Sequence, residues 1–262
     1  MLPLAGPDLP ASLEQLTAAL RAGLTNRGLT AKTIRADGAW PNFAELAIDL
    51  TGANANRAMP LFTSSENPAT SISVEHLTIS AAPLNFEATP LRFDLRAQNA
   101  EFGFARDQAR QSLLQLTRAA AGSFTVEAER ADLEALLKRL AADAAEKQGA
   151  QVKSARLEFN SRGPRSLDFR AEITAKVFIM SAQLAVTGKL DVDGELNLRA
   201  HDLACTGDGV VANLAAGYLR PRFEELEKRP IPLAAFSFAG LKVHDVRLTA
   251  GDSLRLEAQF GT

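Results

Sequence analysis

The stretch AEITAKVFIMSAQLAVTGKLDVDGELNLRA, residues 171–200, decides how the fold is read. Near its end Glu195, Asn197 and Arg199 alternate with Leu196 and Leu198, the period-two pattern of a strand with one wet face. At Val177, Phe178, Ile179 and Met180 that alternation lapses. Four consecutive apolar residues in an extended segment put apolar groups on both faces, so the stretch predicts central strands covered on two sides. What covers them is the question that the rest of the chain has to answer.

Downstream, Asp193-Gly194 is a hairpin signal, and residues 195–200 return as a strand. After Asp208 a helix carries Val211, Leu214, Tyr218, Phe223 and Leu226. Pro221 is expected to kink it, and Pro230 and Pro232 to end it. Segments 236–249 and 254–260 read as strands, and Phe236 to Leu241 lacks a clean polar face. Upstream, 152–160, 166–181 and 183–191 read as strands that follow a helix from Asp132 to Gln148. That helix groups Leu133, Leu136, Leu137 and Leu140 on one side, spaces Glu134 and Lys138 as an i,i+4 pair, and stops at Gly149.

The amino-terminal part repeats this order. Ser12 with Gln15 forms a capping box, Leu13, Leu16, Leu20 and Leu24 follow at helical spacing, and Gly28 supplies a stop. Strands are expected over 30–36, 45–51, 71–80 and 84–97, and a short helix over 108–121. ASLEQL at 11–16 matches ADLEAL at 131–136, so the chain reads as a helix followed by a strand meander, twice; leucine-rich helices also match without common origin.

Composition limits function. With 262 residues, 46% hydrophobic and 23% charged, the chain can bury a substantial core. Its 29 Lys+Arg against 31 Asp+Glu leave a net charge of -2 without a basic block, which argues against nucleic acid as a partner. One cysteine, Cys205, rules out an internal disulfide framework and reads as a small buried hydrophobe. MLPLAGPDLP, residues 1–10, lacks a basic region and is broken by Pro3, Pro7 and Pro10, so it does not read as a signal peptide. The chain therefore reads either as cytoplasmic or as one whose leader is absent. No apolar run approaches the roughly 18 residues of a spanning helix.

Motifs for bond chemistry are sparse. His76, His201 and His244 are far apart, and none belongs to a metal-spaced pair. TGDGV at 206–210 leads into a helix without phosphate-loop spacing, and Asp191-Val192-Asp193-Gly194 reads as a tight turn rather than a calcium loop. No catalytic role, metal or cofactor is assigned on these grounds. Two readings of the apolar strands stay open: a closed core against a second layer, or a hollow that receives a lipid. In the second, Val177, Ile179, Leu184 and Val186 line the hollow. Leu214 and Tyr218 form a helical wall with the Tyr218 tip at the mouth, and Phe236 and Phe238 add apolar surface.

The order of elements carries a resemblance. LEALLKRL at 133–140, the strands after it, GKLDVDGELNL at 188–198, a helix, RPIPL at 229–233 and AGLKVHDVRL at 239–248 resemble the bacterial LmeA-like family of the tubular lipid-binding (TULIP) superfamily. IRADGAWP at 34–41 and IDLTG at 48–52 are similar to the family's amino-terminal half, and the likeness covers residues 12–250. It implies an α+β fold, with a highly curved antiparallel sheet wrapped around long amphipathic helices. Residues 1–11 would be an extension and 12–262 a single TULIP-like domain. The implied function is binding, and transfer, of phospholipid or another acyl-chain lipid, with a membrane surface as partner and the cell envelope as location. The competing expectations are a structural or partner-binding envelope protein with a closed core, or an enzyme that acts on a lipid.

Overall fold

The computed structural model describes residues 1–6, 9–55, 68, 70–107, 110–146, 150–177, 180–208, 210–232 and 242–261. At 144, 177, 180, 208, 210–216, 218, 219, 231, 232 and 242 it describes the backbone alone. The elements in chain order are β1 (Leu2–Pro3), α1 (Leu13–Asn26), β2 (Thr33–Ala39), β3 (Asn42–Asp49), β4 (Asn54–Ala55) and β5 (Ile72–Phe86). They continue with β6 (Thr89–Arg106), β7 (Ser112–Arg118), β8 (Ala121–Glu129), α2 (Arg130–Glu146) and β9 (Ala150–Gly163). Next come β10 (Ser166–Val177), β11 (Met180–Val192), β12 (Asn197–Asp208) and α3 (Val210–Lys228), and last β13 (Ile231–Pro232), β14 (Lys242–Ala250) and β15 (Ser253–Gly261). The fold is α+β, the class expected above. The strands form two sheets, ordered β14-β15-β8-β6-β5-β3-β2, with β1, β4 and β7 off that path, and β13-β12-β11-β10-β9.

The chain divides into two compact units. Unit 1 comprises Met1–Glu127, Phe236–Asp245 and Glu257–Thr262, and unit 2 comprises Ala128–Ala235 and Val246–Leu256.

In unit 1, α1 starts because the Ser12 side chain accepts from the Gln15 amide at 3.2 Å, while Gln15 Oε1 accepts from the Ala11 amide at 2.8 Å. It stops at Gly28, whose φ of +78° is easy for glycine, and the Leu29 amide returns to the Leu24 carbonyl at 2.9 Å. Leu16 and Leu20 on α1 are fully buried, as are Phe43, Leu46, Ile48, Ile72, Leu95 and Phe102 from the sheet. This is a closed core. β2 and β3 form an antiparallel hairpin, but β3 pairs with β5 in parallel, so the meander expected after the first helix is interrupted by a crossover.

The short helix expected over 108–121 is a correction: Ser112–Arg118 is the strand β7. Leu113, Leu114 and Leu116 favour helix on intrinsic propensity, and the run lacks the alternation that marks a half-buried strand. β7 lacks it because both its faces are covered, with Ser112 through Gln115 buried between β6 on one edge and β1 on the other. Tertiary pairing overrides local preference there.

In unit 2, α2 is followed by an unbroken antiparallel meander, β9 to β12, and then by α3, which holds Pro221 within its span. α2 packs along β9, and α3 along β12 and β11. One end of this unit is well packed. At the β9–β10 turn, the Pro164 carbonyl accepts from the Leu248 amide at 2.7 Å, Arg165 Nε donates to the Val246 carbonyl at 3.2 Å, and the Arg165 carbonyl accepts from the Val192 amide at 2.8 Å. Leu167, Val192, Val246 and Leu248 are buried.

Candidate ligand-binding face

The apolar run 177–180 does not lie in one strand, which corrects the reading of 166–181 as continuous. β10 ends at Val177 and β11 begins at Met180, and these two residues pair with each other across the chain reversal. Away from that reversal the strands of unit 2 are one-sided.

The register sorts their side chains. Residues directly opposite in neighbouring antiparallel strands project to the same face. Phe159 pairs with Phe169, Leu157 with Ala171, and Ala155 with Ile173. Ile173 pairs with Leu184, Ala171 with Val186, and Phe169 with Gly188. Leu184 then pairs with Gly207, and Val186 with Cys205. A single apolar face thus runs from β9 to β12. The other face carries Glu158, Arg170 and Thr187 in one row, and Asn160, Asp168, Lys189 and His201 in another.

That apolar face is only partly covered. Leu157, Phe159, Phe169, Ile173, Leu184, Val186, Leu203 and Cys205 are all half-buried, whereas the smaller Ala171, Ala175, Ala182 and Gly188 between them are buried. A Cβ on Gly188 would come within 2.5 Å of Leu203 Cδ2 and 2.8 Å of the Phe169 ring, so any larger residue there would push these side chains aside where they close over the sheet. Burial raises the Cys205 thiol above its ordinary range, which keeps it neutral on this surface.

Charges gather behind Gly188 on the polar face. Lys189 Nζ meets Asp202 Oδ2 at 2.5 Å, His201 Nδ1 lies 3.4 Å from the same oxygen, and His201 Nε2 bonds Asp191 Oδ2. At Asp191 desolvation raises the carboxyl pKa, but hydrogen bonds from His201 and Ser166 outweigh it and leave the group below the usual carboxylate value. The Lys189 hydrogen bond and charge lower Asp202 likewise. The cluster stitches β11 to β12 where their register shifts between Thr187 and Lys189. Among the described residues no group of three or more His, Cys, Asp or Glu side chains is arranged to hold a metal ion.

Of the side chains expected to meet a ligand, Leu184 and Val186 lie on this apolar face, on adjacent outward positions of β11. Ile179, Phe236 and Phe238 lie outside the described residues, as do the side chains of Val177, Leu214 and Tyr218. The face also takes Phe159, Phe169, Ile173 and Leu203, which the sequence reading passed over; for the first three the signal was the alternation of apolar and polar residues along 155–159 and 168–173. Glu134 was read as the partner of Lys138, but its Oε1 accepts from the Leu157 amide at 2.9 Å. Glu227 Oε1 accepts from the Leu203 amide at 2.8 Å. No local pattern announces either bond.

No helix among the described residues is long and apolar enough to cross a membrane. Compared with protein-family models, with curated proteins and with solved structures, the chain finds no match.

Proposed function

We propose that unit 2 binds an acyl-chain lipid on the apolar face of β9 to β12, with α2 and α3 as the rims of the site. The observation that carries this reading is the contrast in packing between the units. Of the twelve largest fully buried side chains among the described residues, eleven belong to unit 1 and Leu167 to unit 2. A sheet with a complete apolar face and large side chains left half-buried gains free energy by taking up an apolar guest. Each methylene withdrawn from water contributes about 0.8 kcal/mol, so part of one acyl chain suffices for binding. On this reading the fold is the TULIP-like arrangement that the sequence resemblance implies, the lipid is a phospholipid or similar acyl carrier, and the partner is a membrane surface of the cell envelope.

Native mass spectrometry of gently purified protein tests the proposal, with co-purifying phospholipid as the expected result. Cys205, the sole cysteine, supplies a second readout because it lies on the face in question. After delipidation, vesicles of phosphatidylcholine and phosphatidylglycerol should slow its reaction with a maleimide. Substitution Val186→Glu should abolish that protection while leaving circular dichroism unchanged. Absence of lipid and unaltered thiol reactivity after re-exposure would overturn the proposal in favour of a structural protein with a self-filled core.

A further inference from the structure

We infer that Glu134 and Glu227 are a matched pair of positioning residues that hold α2 and α3 to the rims of the apolar face and so govern how readily it opens to a ligand. The inference rests on the lipid-binding reading of that face. Each glutamate belongs to a different helix, and each accepts a backbone N–H from a different strand of one sheet: Leu157 on β9 and Leu203 on β12, at 2.9 and 2.8 Å. β9 is the edge of the five-stranded sheet, and among the described residues the other side of β12 is paired at Asn197 and Leu198. Each donor is thus met by a carboxylate from a helix instead of by a neighbouring strand. A carboxylate there makes a charge-assisted bond, stronger than the one that water would offer.

The packing of α2 makes its tie important. Among the described residues of α2 no side chain is fully buried; Leu133, Leu136 and Leu137 are half-buried, and Leu140 is 41% exposed. The first turn is fixed, because the Arg130 amide donates to the Asp252 carbonyl at 2.8 Å and the Arg130 guanidinium lies 3.1 Å from Asp252 Oδ1. Beyond that anchor, partly covered leucines and the Glu134 bond help to hold the helix. Poorly buried elements open at low free-energy cost, so losing one directional bond changes the open population substantially.

The test uses the full chain with Glu134→Ala, Glu227→Ala, the corresponding Gln variants, which retain a carbonyl acceptor, and Glu134→Asp, which retains the charge but shortens the reach. Two quantities are read: amide exchange at Leu157 and Leu203 without lipid, and stopped-flow uptake of a long-chain fatty acid bearing a terminal pyrene. Each Ala variant should speed exchange at its own amide by roughly tenfold or more, as loss of a bond to a charged group does, and leave the other amide unchanged. Probe uptake should quicken in parallel, and the Gln variants should restore most of the wild-type behaviour. Glu134→Asp should behave like Glu134→Ala and serves if the latter fails to fold. A wild type that takes up no probe defeats the lipid-binding reading. A wild type that does so while the Ala variants keep its exchange or uptake rates defeats this inference alone.

Discussion

Gly122 on β8 sits under the ring of Phe260 on β15, and a methyl group at that position would overlap the ring. Phe260 is 1% exposed, so the ring has little freedom to withdraw. Gly122→Ala should therefore cost about 1–3 kcal/mol, as overpacking does, and a second change, Phe260→Leu, should recover part of the loss in urea denaturation. Asp193 allows a prediction on pH. Its Oδ1 accepts from the Asn197 and Glu195 amides at 2.9 Å, and its Oδ2 accepts from Arg199 Nε at 2.7 Å. The Asn197 amide and then Arg199 hold its carboxyl well below the usual carboxylate range. A depressed folded value means stabilisation that is complete above about pH 5 and is lost as the pH falls below roughly 4 toward that value. The gap in urea midpoint between wild type and Asp193→Ala should be constant at neutral pH and shrink on acidification. Both the Asp193-Gly194 turn and the Ser12 cap were legible in the sequence, because their backbone partners lie within four residues. Glu134 and Glu227 were not, because theirs lie 23 and 24 residues away.

The helices differ more than their sequences do. α1 and α2 both carry leucines at helical spacing, yet Leu16 and Leu20 are 0% exposed and Leu140 is 41% exposed. Leu20→Ala should cost about 2–5 kcal/mol, the range for an unfilled cavity in a closed core. Leu140→Ala should stay within about 0.5 kcal/mol, in line with an exposed position. Urea denaturation of the two variants gives the comparison directly. Hydrophobic spacing made both helices legible, but spacing cannot state how much lies opposite a stripe. β7 shows the converse, since Leu113 and Leu114 are buried on opposite faces of a strand that spacing assigned to a helix. The apolar run 177–180 likewise suggested a strand covered on both faces, although Val177 ends one strand and Met180 begins the next. Unalternating apolar residues have two sources, a strand covered on both faces and a change of strand, and a single sequence does not separate them.

Across the molecule, the uneven distribution of buried side chains predicts uneven protection. Amide exchange should be slowest in β3, β5 and β6 of unit 1, where Leu46, Ile48, Ile72, Leu95 and Phe102 are no more than 2% exposed. It should be faster in α2 and the middle of β9, and an added long-chain fatty acid should slow unit 2 without altering unit 1. The mix of helices and strand meanders was legible from local pattern, whereas the division into units was not. Each unit is assembled from separated segments, and long-range pairing leaves little trace in local pattern. One such pairing has a consequence in time. β8 lies between β6 and β15, and its glycine at position 122 is covered by Phe260, a residue synthesised far later. At translation rates of about 5–20 residues per second, β8 waits on the order of ten seconds with one edge open while the whole of α2 through β13 leaves the ribosome. An open edge is a template for the wrong strand, so the nascent chain should need shelter during this interval. Ribosome-bound chains stalled after Lys228 should accordingly be captured by a holdase chaperone more strongly than chains released with β15 in place.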